Sequence, residues 1–134
     1  MLLGLNHITL TTNDLGLSFE FYTQILGFTP KVKWQNGAYL TLGDLWFCLS
    51  VDESRPSQDY CHIAFDIAEQ DFHTFATRLE EAGVKQWKQN ASEGDSLYIL
   101  DPCGHKLEIH CGSLATRLDS LTHKPYKGLQ WFDE

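Results

Sequence analysis

The chain states one pattern twice, and that duplication constrains its fold more than any other feature. Gly4-Leu5-Asn6-His7-Ile8-Thr9-Leu10 leads into a helical stretch ending Leu26-Gly27-Phe28, and Asp59-Tyr60-Cys61-His62-Ile63-Ala64-Phe65 leads into one ending Ala82-Gly83-Val84. Further strands close each copy, over 37–50 in the first and 95–111 in the second. Two strand-helix units in 134 residues imply two small modules built together, because one half alone would bury too little surface to stand. The expected organisation is one α+β domain over 1–134, with repeats at about 1–52 and 58–112 and an extension over 113–134 that has no counterpart in the first copy.

Alternation assigns the strand faces. His7, Thr9 and Thr11 share one side of the first strand and Ile8 and Leu10 the other. Asn13 or Asp14 can cap the helix that follows, whose apolar stripe is Leu15, Phe19, Tyr22 and Leu26, and Gly27 stops it. Phe72, Phe75, Leu79 and Ala82 repeat the stripe in the second copy, and Gly83 repeats the stop. Later in the chain Ser96 and Tyr98 share a face, as do Lys106, Glu108 and His110 beyond the Pro-Gly turn. Setting Phe47 on Leu107 puts Cys48 at the position of Glu108, so the first copy carries a thiol where the second has a carboxylate.

Two histidines at equivalent repeat positions, with a glutamate facing a sheet interior, are hard to explain by packing alone, since a buried carboxylate is costly unless neutralised. If the copies pair about a pseudo-twofold axis, His7, His62 and Glu108 form a three-ligand metal site. The mixed N/O set suits Mn(II), Fe(II), Co(II), Ni(II) or Zn(II), and three protein ligands leave positions open for a substrate. Cys48 is read as a buried small hydrophobe rather than a fourth ligand. His73, His105, His110 and His123 lack the repeat's support and are read as structural or solvent-exposed.

Composition narrows the function classes. Forty-three per cent hydrophobic residues, with eight Phe, five Tyr and four Trp, are ample for a core. A net charge of −8 without a basic stretch argues against nucleic acid. No long apolar run and no signal-peptide pattern are present, and the four cysteines show no CxxC spacing. A cytoplasmic protein with reduced thiols and no membrane association is expected.

With the repeat, the His/His/Glu set and Asp101-Pro102-Cys103-Gly104-His105-Lys106-Leu107-Glu108 in hand, the chain resembles the vicinal oxygen chelate superfamily, the fold of glyoxalase I and extradiol dioxygenases. More narrowly it resembles the fosfomycin resistance glutathione transferases. The likeness spans almost the whole chain, and Trp87-Lys88-Gln89-Asn90-Ala91-Ser92-Glu93-Gly94-Asp95-Ser96 is its most specific segment. The resemblance implies paired βαβββ modules forming a cupped mixed sheet in a swapped homodimer, with Mn(II) held by His7 of one subunit and His62 and Glu108 of the other. It implies conjugation of glutathione to the epoxide of fosfomycin. Thr9 would hydrogen-bond the oxirane oxygen, and Tyr39 would help ionise the thiol. Lys88, Ser92, Ser96, Tyr98 and Arg117 would contact the phosphonate, with Trp46 and Tyr60 walling the pocket. Asn90, Ser92, Glu93, Gly94 and Ser96 would form a K⁺ loop, and Trp34 and Gln35 would line the thiol channel. Ala91, Cys61, Ile63 and Cys103 depart from the residues usual in that family, and none of these departures removes a metal ligand.

Two other readings compete. Water in place of the thiol would make a fosfomycin hydrolase, with Asp44 or Glu93 as candidate base. A drug-binding protein on the same fold would need no metal, against which the intact His7, His62 and Glu108 count. Glyoxalase I activity would want a carboxylate at Cys48, and neither it nor dioxygenase activity accounts for Lys88 and the loop after it.

Overall fold

The computed structural model describes residues 1–132; Asp133 and Glu134, the last two of the expected extension, lie outside the described residues. The first half runs β1 (His7–Thr12), α1 (Leu15–Glu20) continued by a π-helical turn (Phe21–Ile25), β2 (Thr29–Trp34), β3 (Gly37–Leu42) and β4 (Leu45–Val51). The second runs β5 (Ile63–Asp66), α2 (Glu69–Glu81), β6 (Gln86–Lys88), β7 (Ser96–Leu100) and β8 (Lys106–His110), and α3 (Leu114–His123) follows. Each half forms its own four-stranded mixed sheet, ordered β1-β4-β3-β2 and β5-β8-β7-β6, with the first strand parallel to the last. This is the expected α+β class with paired βαβββ modules.

Local chemistry sets the boundaries. Asp14, not Asn13, caps α1, its carboxylate accepting from the Leu17 N–H at 3.1 Å. Gly27 and Gly83 take positive φ at the two helix ends, +86° and +71°, where a side chain would be strained. Tyr60 and His62 precede β5 rather than lying within it. The extension is a helix whose Ser113 and Thr116 side chains each bond the other's backbone N–H, a capping box.

The registers superpose the halves residue by residue. Ile8 faces Phe47 as Ile63 faces Leu107, so Cys48 does stand where Glu108 stands. Continuing across the next pair, Tyr39 falls on Tyr98, Gly37 on Ser96 and Ser50 on His110. The edge strands agree too, since β2 and β6 each carry an irregularity opposite β3 and β7, between Pro30 and Val32 and between Gln86 and Lys88.

A single core joins the halves. Phe28 meets Phe47 and Phe65 edge-on at 5.2 and 5.3 Å between centroids, and Tyr22 packs on Phe47 at 4.7 Å. The Tyr22 hydroxyl donates to Asp101 Oδ2 at 2.7 Å, while Asp101 Oδ1 accepts the N–H groups of Cys103 and His105, both at 2.9 Å. The first helix is thereby tied to the β7–β8 turn. Burial and the Asp101 charge push the Tyr22 hydroxyl well above its usual pKa of 10.0. Its contribution is therefore fully present below pH 10.0 and falls as the pH rises from there toward the raised folded value. Tyr22→Phe, which leaves a buried carboxylate oxygen without its donor, is expected to cost about 1.5–3 kcal/mol in urea unfolding at pH 7 and to remove this alkaline loss.

Candidate active site

The second half gathers most of the candidate residues on one face. Alternation along β7 and β8 sends Ser96, Tyr98, Glu108 and His110 to the same side, with Tyr98 opposite Glu108 and Ser96 opposite His110. His62 joins from the turn before β5. That turn is pinned by Asp59, which accepts from the Ser57 hydroxyl and from the Cys61 N–H at 2.9 Å; the first of these bonds leads in lowering the Asp59 pKa to about 2. Asp59 in turn raises the pKa of the exposed Cys61 thiol, which keeps it protonated and a poor nucleophile.

His62 and Glu108 are arranged as metal ligands are. His62 Nδ1 lies 2.7 Å from the Tyr60 carbonyl, which can only accept, so Nδ1 carries the ring proton. Nε2 then presents a lone pair toward Glu108 Oε1 at 2.9 Å, and two electron-pair donors at that distance need a second proton or a cation between them. Donors each about 2.1 Å from one ion and at right angles stand about 3.0 Å apart, so the pair fits a divalent ion. Within one chain the set is incomplete. Among the described residues no three His, Cys, Asp or Glu side chains come together as a metal site. His7 stands exposed in the first half, its Nδ1 2.7 Å from Asn6 Oδ1 and its ring 4.4 Å from that of Trp46.

Cationic side chains flank this pair. Lys88 Nζ donates to the Tyr60 hydroxyl at 2.8 Å and lies over the Tyr60 and Tyr98 rings at 4.6 and 4.8 Å. The Tyr60 hydrogen bond is the main cause of a raised Lys88 pKa, which keeps the amine charged for an anion. Arg117, on α3, donates to Ser92 Oγ at 3.4 Å and to the Glu93 carbonyl at 3.2 Å. In the loop between β6 and β7 the Asn90 amide N–H groups meet the carbonyls of Gly94 at 2.7 Å and Ser92 at 3.4 Å. Glu93 Oε1 accepts from Thr116, and the buried Oε2 has no partner among the described residues.

The other candidates lie in the first half. Trp34, Tyr39, Trp46 and His7 form a continuous ring stack, with Trp34 to Tyr39 at 4.8 Å and Tyr39 to Trp46 at 5.3 Å. Gln35 sits in the β2–β3 turn, and Thr9 is exposed beside Cys48. Asp44 occupies the exposed β3–β4 turn. His110, read as structural or solvent-exposed, is part-buried, with its Nδ1 2.5 Å from Ser96 Oγ and 3.2 Å from Glu108 Oε2. Its sequence signal was the shared parity with Glu108 and Ser96.

A fold of two βαβββ halves with a half-assembled His/Glu site defines a class. The family model described as the Glyoxalase/Bleomycin resistance protein/Dioxygenase superfamily matches residues 4–109, and the chain belongs to that superfamily. Its relatives narrow the position within it. The chain is 56% identical over 134 residues to the Glutathione transferase FosA of Serratia marcescens, covering 96% of this chain and 95% of the relative. It is 38% identical to the Metallothiol transferase FosB of Shouchella clausii, covering 88% and 86%. The crystal structure of the fosfomycin resistance protein FosX from Listeria monocytogenes, complexed with Mn(II) and sulfate, superposes with a TM-score of 0.82 at 29% identity, covering 90% of this chain and 98% of that one. No helix among the described residues is long and apolar enough to cross a membrane.

Proposed function

We infer that the protein conjugates glutathione to fosfomycin and so inactivates it, in a cavity shared by two copies of the chain. The observation that carries this reading is the convergence of His62 Nε2 and Glu108 Oε1, 2.9 Å apart, beside the ammonium of Lys88, in a chain 56% identical to a glutathione transferase. His62 and Glu108, with His7 of a second copy, would hold a divalent ion, Mn(II) foremost, which when bound supplies Lewis-acid polarisation of the epoxide C–O bond. Lys88 and Arg117 bind and orient the phosphonate with charge-assisted hydrogen bonds, and Ser92, Ser96 and Tyr98 line its cradle. The Thr9 hydroxyl donates to the oxirane oxygen. Tyr39, exposed within the aromatic stack between Trp34 and Trp46, assists ionisation of the glutathione thiol, with Trp34 and Gln35 along its channel. Sulfur bonds to one oxirane carbon as that carbon's C–O bond breaks, and the pair from the broken bond passes to the oxygen, which then takes a proton.

Three features support the finer parts of this reading. Trp34, Tyr39, Trp46 and Tyr60 are large apolar side chains left exposed in one chain, as a swapped homodimer would require. Inward carbonyls of Ser92 and Gly94 and the orphaned Glu93 Oε2 give the Asn90 to Ser96 loop oxygen donors for K⁺ beside the phosphonate. All four cysteines are free, in keeping with the cytoplasm, where glutathione is abundant. In this reading residues 1–134, two repeats and the extension together, act as one domain.

The test is metal-stripped protein with fosfomycin and glutathione, followed by phosphorus NMR with Mn(II) and K⁺ added singly and together. An adduct that needs Mn(II) and forms faster with K⁺ is expected. A diol would make the protein a hydrolase, and unchanged drug with both ions present would remove the enzymatic reading.

A further inference from the structure

The polar set behind Glu108 exists in one half only. At the superposed positions the second half has Ser96, Glu108 and His110, and the first has Gly37, Cys48 and Ser50. Where the carboxylate is missing, so are the hydroxyl on the facing strand and the imidazole two residues on. The scaffold does not need them, since both sheets form with the same strand order and register.

Proton accounting fixes how the set works. Ser96 Oγ donates its one proton to Glu108 Oε2 at 2.7 Å, a carboxylate oxygen that can only accept. The 2.5 Å contact between Ser96 Oγ and His110 Nδ1 must then be made by a proton on Nδ1. The chain runs from the His110 Nδ1–H to the Ser96 hydroxyl, from that hydroxyl to Glu108 Oε2, and through the carboxylate to Oε1, which faces His62. The far edge of the imidazole is held by backbone. A Cβ on Gly94 would lie 3.0 Å from His110 Cε1, and one on Gly112 would lie 2.9 Å from Nε2, so both glycines leave room for the ring. The ring is clamped between the 90–95 loop and the residues after β8.

We propose that His110 is a positioning residue for Glu108: through the Ser96 hydroxyl it fixes the carboxylate in the orientation that presents Oε1 alongside His62 Nε2 for the divalent ion. The proposal rests on the reading of Glu108 as a metal ligand. Mn(II) binding to the purified full-length protein, followed by loss of the free-ion EPR signal, tests both in the wild type, E108Q, H110A, H110N and S96A. H110A and S96A are expected to weaken Mn(II) binding about 10- to 100-fold with unchanged circular dichroism. H110N, whose amide N–H can replace Nδ1–H, should recover most of that loss. Equal losses in H110A and H110N would assign the effect to ring packing and overturn the proposal. Wild-type affinity in S96A, or in H110A, while E108Q has lost Mn(II) would overturn it alone. Unchanged affinity in E108Q would overturn the ligand assignment and the proposal with it. Should H110A not fold, S96A decides.

Discussion

His7→Ala and Glu108→Ala are each expected to lower adduct formation by about 10³-fold, the equivalent of the several kcal/mol that a bound Lewis acid supplies to a transition state. Unfolding the two variants together and refolding them at equal concentration should restore about a quarter of wild-type activity. The figure follows from symmetry. In the swapped dimer proposed above, half of the refolded dimers pair unlike chains, and in each of these one cavity has both an intact His7 and an intact Glu108 while the other has neither. The expectation comes from the geometry of the single chain, in which His62 and Glu108 meet without His7. Recovery no greater than the sum of the separate variants would mean that the cavity is not shared between subunits.

Phe47→Ala is expected to destabilise the protein by about 3–5 kcal/mol in urea unfolding monitored by circular dichroism. Phe47 is fully buried and its ring meets those of Tyr22, Phe28 and Phe65, so truncation opens a cavity where the two halves join. The loss should leave a single transition, because neither half keeps a core of its own. A change below about 1 kcal/mol would mean that the halves do not share this core.

Much of this was legible in the sequence because duplication supplies its own control. One histidine in a strand carries little information, but His7 and His62 at matching positions, with the matching helix stops at Gly27 and Gly83, constrain one another. Period-two alternation placed Ser96, Tyr98, Glu108 and His110 on one face, and the strand registers agree. Three features were out of reach for physical reasons. The π-helical turn at Phe21–Ile25 alters hydrogen-bond spacing without altering the apolar stripe, so periodicity does not register it. Asn13 and Asp14 are equivalent as caps until backbone geometry chooses between them. His110 was set aside because the first copy has no histidine to match it, although Ser50 stands at its superposed position just as Cys48 stands at that of Glu108. The absence of a partner in the repeat marks where the chemistry of the two halves differs.

The parity of the strands has a consequence for how such a protein changes. In β8 the even-numbered residues carry Glu108 and His110 while Leu107 and Ile109 lie in the core, and in β4 Trp46 and Ser50 alternate with the buried Phe47 and Leu49. Chemistry and cohesion are therefore written on opposite sides of one layer of backbone. A random library confined to the even positions of β7 and β8 and their counterparts in β3 and β4, leaving out Gly37, where a Cβ would lie 2.7 Å from the Leu49 carbonyl, should remain largely folded while its members diverge in what they bind, and the same library moved by one residue should fail to fold. Drift in drug or thiol preference is thus available to the gene at little risk to the structure that carries it.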